Sequence, residues 1–334
     1  MNLIRLGPGA FRLILAMAVV LEHLSRFMIG KPAVMIFFML SGYWVMRMFD
    51  EKYSKTARPL QTFYVSRFLR IWLLYAAVFL IAMAAHWVFT GKADWQDWLA
   101  LPIFGVATHG RDIIGVTWSL DIELQFYLCL PLLWAIMRQP VSPANGSTFV
   151  FVLLAIWALG WFLTIAYGIK TVAAYLPLFA AGAAIYLLKL HVSIRAATVS
   201  TALFILAAIA VFAIPEMRPY LIYGSGNVSH DLLFAFFWAL LLVPFVAFNV
   251  RQKSGTFDRH LGNLSYSVYL VHFPLSVLAK ELLGRDYSDP EKLLLIALTV
   301  LVSVAVYVVF DMRCELWRRR VIRAMNARPA TEQA

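Results

Sequence analysis

The sequence predicts an all-α fold, a polytopic membrane helical bundle with about ten transmembrane helices, on three observations. Of the 334 residues, 62% are hydrophobic and 14% are charged, whereas soluble domains average about 45–50% apolar and about 25% charged residues. The mean hydropathy is +0.76. The apolar residues form continuous runs, near the roughly 20 residues that cross a bilayer, without the alternation of a membrane β-barrel.

The predicted spans follow one another along most of the chain, with polar loops between them. Their approximate limits are 11–29, 33–49, 69–90, 117–137, 148–167, 172–189, 196–214, 230–249, 264–283 and 292–313. The first run is interpreted as a spanning helix rather than a signal peptide, because it contains charges and lacks a small-residue cleavage site. Residues 1–315 are predicted to form the membrane domain, and 316–334 a short basic cytoplasmic tail.

The distribution of Lys and Arg sets the predicted orientation. With a cytoplasmic N-terminus, most of the 29 Lys and Arg residues lie in loops on the cytoplasmic side, as the positive-inside rule requires. Both termini are therefore predicted to be cytoplasmic. The net charge of +11 is attributed to this topology and to the lipid bilayer with its anionic headgroups, and no nucleic-acid partner is expected.

Ionisable residues inside the spans are the first candidates for function, because a charge is costly inside a bilayer. Glu22, His23 and Arg26 interrupt the first span, and Glu123 lies near the start of the fourth. In the predicted orientation, His23 and Glu123 both lie in the outer half of the bilayer. The sequence therefore predicts an acid–imidazole pair toward the outside.

Arginines form a second cluster, at the cytoplasmic boundary. Arg12 lies near the start of the first span, and Arg67 and Arg70 lie at the start of the third. The three-residue spacing places Arg67 and Arg70 on one helix face, where two guanidinium groups can bind a phosphate.

Structural roles compete with these functional interpretations. Arg26 is close enough to the end of its span to reach the membrane interface. Glu22 can pair with Arg26 one turn later. His23 and His272 can form hydrogen bonds between helices, and Glu123 can mark an interfacial helix start.

Motifs for metals and nucleotides are absent from the sequence. It has two Cys and no His/Cys cluster, so no metal site is expected. We find no P-loop, no dinucleotide fingerprint, no HExxH and no GxSxG. The "GPG" at residues 7–9 is interpreted as a helix-entry turn.

Five segments, in order, together resemble the acyltransferase-3 family of integral-membrane O-acyltransferases. They are "FRLILAMAVVLEH" with Arg12 and His23, "IFFMLSGYWV" with Phe37, Phe38, Ser41, Gly42 and Tyr43, "FYVSRFLRIWLLY" with Arg67 and Arg70, "TWSLDIELQFYLCLP" with Trp118, Ser119, Glu123, Phe126 and Tyr127, and "LGNLSYSVYLVHFP" with Ser265, Tyr266, Tyr269, Leu270 and His272. The family often has an acidic residue entering the first helix, where this chain has "GAFR".

The resemblance implies an O-acetyltransferase type of enzyme, transferring groups other than amino-acyl groups, in the inner (cytoplasmic) membrane. Acyl-CoA, with acetyl-CoA expected, would be the donor on the cytoplasmic side. A hydroxyl of a carbohydrate, such as a cell-surface polysaccharide or a lipid-linked sugar, would be the acceptor. Polysaccharide-assembly proteins or a separate extracytoplasmic acyltransferase are possible partners.

Roles for individual residues follow from the same resemblance. His23 is expected to act as general base or transient acyl carrier, and Glu123 to orient it and stabilise the imidazolium. The donor phosphates are assigned to Arg12, Arg67 and Arg70. The remaining substrate or oxyanion candidates, which the sequence does not rank, are Ser41, Tyr43, Trp118, Tyr266 and His272.

Two other function classes remain open at this stage. A helical bundle with intramembrane Glu, His and Arg can also be a proton-coupled transporter. However, we see no repeat between residues 1–167 and 168–334. The third possibility is a non-catalytic subunit of a polysaccharide export system.

Overall fold

The computed structural model describes residues 6–91, 94–139 and 143–326, and over these ranges the chain is helical. Its α-helices are α1 Pro8–Leu24, α2 Gly30–Glu51, α3 Pro59–Thr90, α4 Val106–His109, α5 Thr117–Met137, α6 Pro143–Tyr167, α7 Val172–Leu187, α8 Ile194–Ala213, α9 Val228–Leu240, α10 Val243–Asn249, α11 Thr256–Leu283, α12 Asp289–Val306 and α13 Met312–Asn326. A π-helical segment, Tyr307–Asp311, joins α12 to α13. The predicted tail lies partly outside the described residues, beyond Asn326.

All ten predicted spans coincide with helices, but fewer meet a strict test for crossing a membrane. Six helices of the described chain are long and apolar enough, or seven if the bent pair α9 and α10 is counted as one span. That pair is bent by 57° inside the predicted span 230–249. The shorter α7 has 16 residues, and α1 has 17. The number of about ten spans and the orientation of the termini remain predictions.

The outer surface of the bundle is apolar, as a bilayer requires. Large apolar side chains on three peripheral helices are exposed: Phe151 on α6 by 73%, Ile209 on α8 by 57% and Leu293 on α12 by 70%. An apolar surface of this kind would be unfavourable in water. The fold is therefore that of a multi-pass membrane protein.

Close packing of α1 against α11 organises the centre of the bundle. As predicted for "GPG", Gly7 precedes the helix and Pro8 begins it. A carboxylate reaches this helix start from α11, because Asp258 accepts hydrogen bonds from the backbone N–H groups of Gly9 (3.0 Å) and Ala10 (2.8 Å). A Cβ on Gly9 would lie 1.7 Å from the carbonyl oxygen of Asp258. Glycine is thus required for the approach of the two helices.

The contact of α2 with α7 also depends on glycines. A Cβ on Gly42 would lie 2.1 Å from the Phe179 carbonyl oxygen, and a Cβ on Gly182 would lie 2.0 Å from the Met39 carbonyl oxygen. The two helices run parallel, since Phe38 contacts Tyr175 near their starts and Asp50 contacts Tyr186 near their ends, and each contributes one glycine to the shared surface. This packing holds α2 in the core, where it contributes residues to both polar regions described below.

These contacts define two ends of the bundle. The basic end contains the start of α1, the end of α2 and the start of α3. The His23 end contains the end of α1 and the starts of α2, α5, α7 and α9. Polar side chains gather at both ends.

The α2–α7 contact leads to a stability prediction. We expect Gly182→Ser to destabilise the protein by about 1–3 kcal/mol, because the new side chain meets backbone that cannot move aside. The measurement is the midpoint of thermal unfolding in detergent. Gly255→Ser is the matched control, since a Cβ there has nothing within 4 Å and serine is favoured at the N-cap. Equal midpoints for the two variants would contradict the close contact.

Candidate functional site

A cavity of about 140 Å³ opens at the His23 end of the bundle. Its lining comes from the end of α1, the starts of α2, α5 and α9, the loop before α7 and the middle of α11. The residues are Val19, Glu22, His23, Gly30, Lys31, Val34, Gly115, Val116, Trp118, Lys170, Val228, Leu232 and Tyr269. Apolar walls with a few convergent polar groups are typical of small-molecule sites.

His23 lines this cavity with one ring nitrogen, Nε2, that has no hydrogen-bond partner among the residues that the structure describes. It is the penultimate residue of α1 and is exposed. Its Nδ1 lies 2.9 Å from the carbonyl oxygen of Val19. A carbonyl can only accept, so Nδ1 carries the proton and Nε2 has the lone pair. This tautomer suits a general base or a nucleophile.

His272 is the neighbour of His23 on α11. The ring centroids are 5.0 Å apart, edge to face, and the Phe273 ring also contacts His23 edge to face, with a centroid distance of 5.2 Å. His272 repeats the pattern of His23, because its Nδ1 lies 3.2 Å from the carbonyl oxygen of Val268. Its side chain is only 2% exposed, and its Nε2 has no hydrogen-bond partner in the described part of the chain.

Glu22, left open by the sequence, has a structural role. Its Oε2 accepts hydrogen bonds from the backbone N–H groups of Gly30 (2.5 Å) and Lys31 (3.0 Å) at the start of α2. The carboxylate satisfies two N–H groups that lack a partner within the helix, and it lies at the positive end of the helix dipole. Arg26 instead contacts Tyr223, with its guanidinium 4.8 Å from the ring centroid.

Two lysines line the cavity, in different electrostatic environments. Lys31 forms an ion pair of 3.1 Å with Asp231, which is 6% exposed. The Nζ of Lys170 lies 5.4 Å from the centroid of the Trp118 ring, a cation–π contact. Trp118, a substrate candidate from the sequence, is thus in the cavity with His23.

The arginines predicted for the cytoplasmic boundary lie together at the basic end. Arg12 interacts electrostatically with both Arg67 and Arg70, and with Glu123. Among the described residues, it has no hydrogen bond or ion pair. Its side chain is half-buried, and an unpaired guanidinium in this position is available to bind an anion.

Arg67 and Arg70 have protein partners. Arg67 donates a hydrogen bond of 3.1 Å to the Tyr53 hydroxyl, and its Nε is buried without a partner in the described ranges. Arg70 forms an ion pair of 3.0 Å with Asp311, which is 4% exposed. Asp311 lies in the π-helical segment, a feature often found at functional sites.

Glu123 does not contact His23, contrary to the expectation from matched depth. Its Oε1 accepts hydrogen bonds of 2.6 Å from Ser41 and 2.6 Å from Tyr127. No hydrogen bond or ion pair joins Glu123 to His23 in the parts of the chain described. The reason is the early end of α1: His23 lies at the helix end, whereas Glu123 lies about 9 Å along α5 from its start.

The other candidates lie apart from the cavity, with their hydroxyl groups engaged or their rings buried. Ser41 donates to Glu123. Tyr266 donates a hydrogen bond of 2.7 Å to the Ile71 carbonyl oxygen, and Arg70 lies over its ring. Tyr43 is 6% exposed and packs between Trp44 and Tyr186. To stabilise an oxyanion, Ser41 and Tyr266 would first have to give up these bonds.

Sequence reasoning missed several residues of the two regions. Asp311, the partner of Arg70, is the acid that follows the apolar run "VYVVF", and an acid at that place could have been paired with the third-span arginines. Tyr53 and Lys170 lie in or beside loops and carried no signal. No three His, Cys, Asp or Glu side chains come together as a possible metal site within the described segments.

Comparison with known proteins identifies the family. The model of the acyltransferase-3 family, an acyltransferase domain, matches residues 6–310. No curated protein and no solved structure matches the chain. The match includes α1 with Arg12 and His23, all the helices of the cavity and the arginine region. The chain therefore belongs to the acyltransferase-3 family, whose members are acyltransferases.

Proposed function

We propose that this protein is a membrane-bound O-acyltransferase of the inner membrane. It moves an acyl group, acetyl in the first instance, from cytoplasmic acetyl-CoA to a hydroxyl of a carbohydrate acceptor. The proposal depends chiefly on the arrangement of His23, which lines a cavity at one end of the bundle. Its Nδ1 proton is directed at a backbone carbonyl, so that Nε2 faces a substrate as the basic nitrogen.

The donor binds at the basic end, which is the cytoplasmic end in the orientation that the loop charges predict. Arg12 supplies the unpaired cation for the CoA phosphates, and Arg67 and Arg70 surround the same region. Arg70 also has a structural role, because its ion pair with Asp311 joins α3 to the π-helical segment.

The spacing of Arg12 and His23 connects the two ends. Eleven residues correspond to about three turns, so both side chains lie on one face of α1, about 16 Å apart along the helix axis. The extended pantetheine arm of CoA can bridge such a separation, with its phosphates near Arg12 and its thioester toward His23.

The transfer itself is a conventional acyl transfer. In the general-base form, the acceptor oxygen attacks the thioester carbonyl carbon while its proton passes to Nε2 of His23. The C–S bond then breaks, and the imidazolium returns the proton to the CoA thiolate. In the acyl-carrier form, Nε2 attacks the thioester carbonyl carbon, the C–S bond breaks and CoA leaves as the thiolate. The acceptor oxygen then attacks the acyl carbon, the N–C bond breaks, and the hydroxyl proton passes to the CoA thiolate.

His272, rather than Glu123, is the residue that positions His23 in this proposal. The edge-to-face contact between the two rings restricts the orientation of His23. Glu123 interacts electrostatically with Arg12, and we therefore assign it to the donor region.

The first prediction concerns the base. We expect His23→Gln to lower acetyl transfer by roughly 10²–10⁴-fold, because glutamine cannot take the proton, with the protein still folded in the membrane. Transfer is measured by mass spectrometry of cell-surface glycans and by release of free CoA from acetyl-CoA in vesicles. His230→Gln, at an exposed position of the same end, is the control.

Retained O-acetylation in the His23 variant would remove this residue from the chemistry. A change in glycan amount without a change in acetylation, in either variant, would favour transport or assembly instead.

The second prediction separates Arg12 from Arg70. We expect Arg12→Gln to raise the KM for acetyl-CoA by about tenfold or more, through loss of a charge-assisted contact, with an unchanged thermal midpoint. Arg70→Gln is expected to cost about 3–5 kcal/mol of stability, because Asp311 is left buried without its partner.

A double variant provides the control for this assignment. Arg70→Gln combined with Asp311→Asn is expected to recover much of the stability lost in the single variant. An Arg12 variant with unchanged dependence on acetyl-CoA would contradict its role in donor binding.

A further inference from the structure

One cation in the lining of the His23 cavity, Lys170, has no carboxylate partner among the described residues. Glu22 contributes a carboxylate to the lining, but its Oε2 is held by two backbone N–H groups at the start of α2. Lys31 is neutralised by Asp231. Lys170 remains as a cation of the lining, with no hydrogen bond or ion pair among the residues that the structure describes.

Asp112 is the acid that acts on Lys170 electrostatically, but its oxygens are engaged elsewhere. They accept hydrogen bonds from the N–H groups of Ile114 (3.1 Å), Gly115 (2.8 Å) and Thr117 (2.7 Å), and from the Thr117 hydroxyl (2.6 Å). Asp112 therefore closes the turn that precedes α5. It forms no ion pair with Lys170 within the described residues.

The surroundings of Lys170 make an anion favourable. Burial lowers the pKa of Lys170, the charge of Asp112 opposes this, and the charge of Lys31 lowers the pKa further. A partly desolvated ammonium group without a partner is costly, and a ligand anion beside it offsets that cost. The indole ring of Trp118 lies directly beneath the ammonium group.

We infer that the acceptor is an acidic glycan, whose carboxylate or phosphate binds Lys170 while the hydroxyl to be acylated lies at His23. The apolar face of a sugar ring packs on Trp118, and the anion lies on the same sugar or its immediate neighbour, since both residues line one cavity of about 140 Å³. This inference rests on the proposed function for the hydroxyl, whereas the anion site stands on the geometry of Lys170.

Binding measurements test the inference without relying on catalysis. The probes are a glucuronic acid oligosaccharide, a glucose oligosaccharide of the same length and that glucose oligosaccharide with a terminal phosphate. Their Kd values are measured with the purified full chain in detergent. We expect at least one anionic probe to bind on the order of tenfold tighter than the neutral one, and the tighter of the two anionic probes identifies the anion as carboxylate or phosphate.

Variants then locate the anion site. Lys170→Gln is expected to abolish the preference for the anionic probe while leaving the Kd of the neutral probe unchanged, and Lys170→Arg is expected to keep the preference. Lys280→Gln, at a lysine that is 59% exposed and paired with Asp286, is the matched control. Each Lys170 variant is first compared with the wild type in its thermal midpoint.

Three results would overturn the inference: equal binding of anionic and neutral probes, a preference that survives in Lys170→Gln, or no binding of either anionic probe. Failure of the proposed function gives a different result. In that case the anionic probe binds through Lys170, but none of the probes is acetylated with acetyl-CoA.

Discussion

The parallel packing of α1 against α11 is the contact on which both functional regions depend. Gly9 allows the two backbones to meet at the basic end, and Asp258 closes the start of α1 there. From that point the helices run side by side, so that His23 meets His272 at the opposite end. A side chain at residue 9 would push α1 away from α11. Arg12 and His23 both lie on α1, so both would be displaced.

Carboxylates in this fold serve largely to hold helix starts. Asp258 does so for α1, Glu22 for α2 and Asp112 for the turn before α5. Asp121, fully buried, accepts the backbone N–H of Ala107. Each one satisfies backbone groups that a bilayer would not hydrate. As a consequence, Arg12 and Lys170 are left as cations without carboxylate partners in the described chain, and the substrates we propose for both ends carry negative charge.

The two regions differ in how their polar groups are arranged. At the basic end, Arg67 contacts Tyr53 and Arg70 pairs with Asp311, so both are held beside Arg12, which has no such partner in the described ranges. At the His23 end, the polar groups surround a cavity, and the two imidazole rings are oriented by carbonyl groups of their own helices. The first arrangement suits binding of a phosphate, and the second suits proton transfer.

The helical membrane fold, the family and the two clusters were predictable from the sequence, because apolar runs, loop charges and motif spacing are local properties of the chain. The sequence predicted that His23 and the arginines form separate clusters, and the structure has the two clusters at opposite ends of the bundle. Which polar groups meet depends instead on the packing of the helices. Glu22 binds the start of α2, Glu123 binds Ser41 rather than His23, and His272 takes the place beside His23. These pairings depend on where α1 ends and which helices it packs against. The depth of a residue along one helix does not reveal where that helix ends or which helices it contacts, because the neighbours in a bundle are set by packing between distant segments.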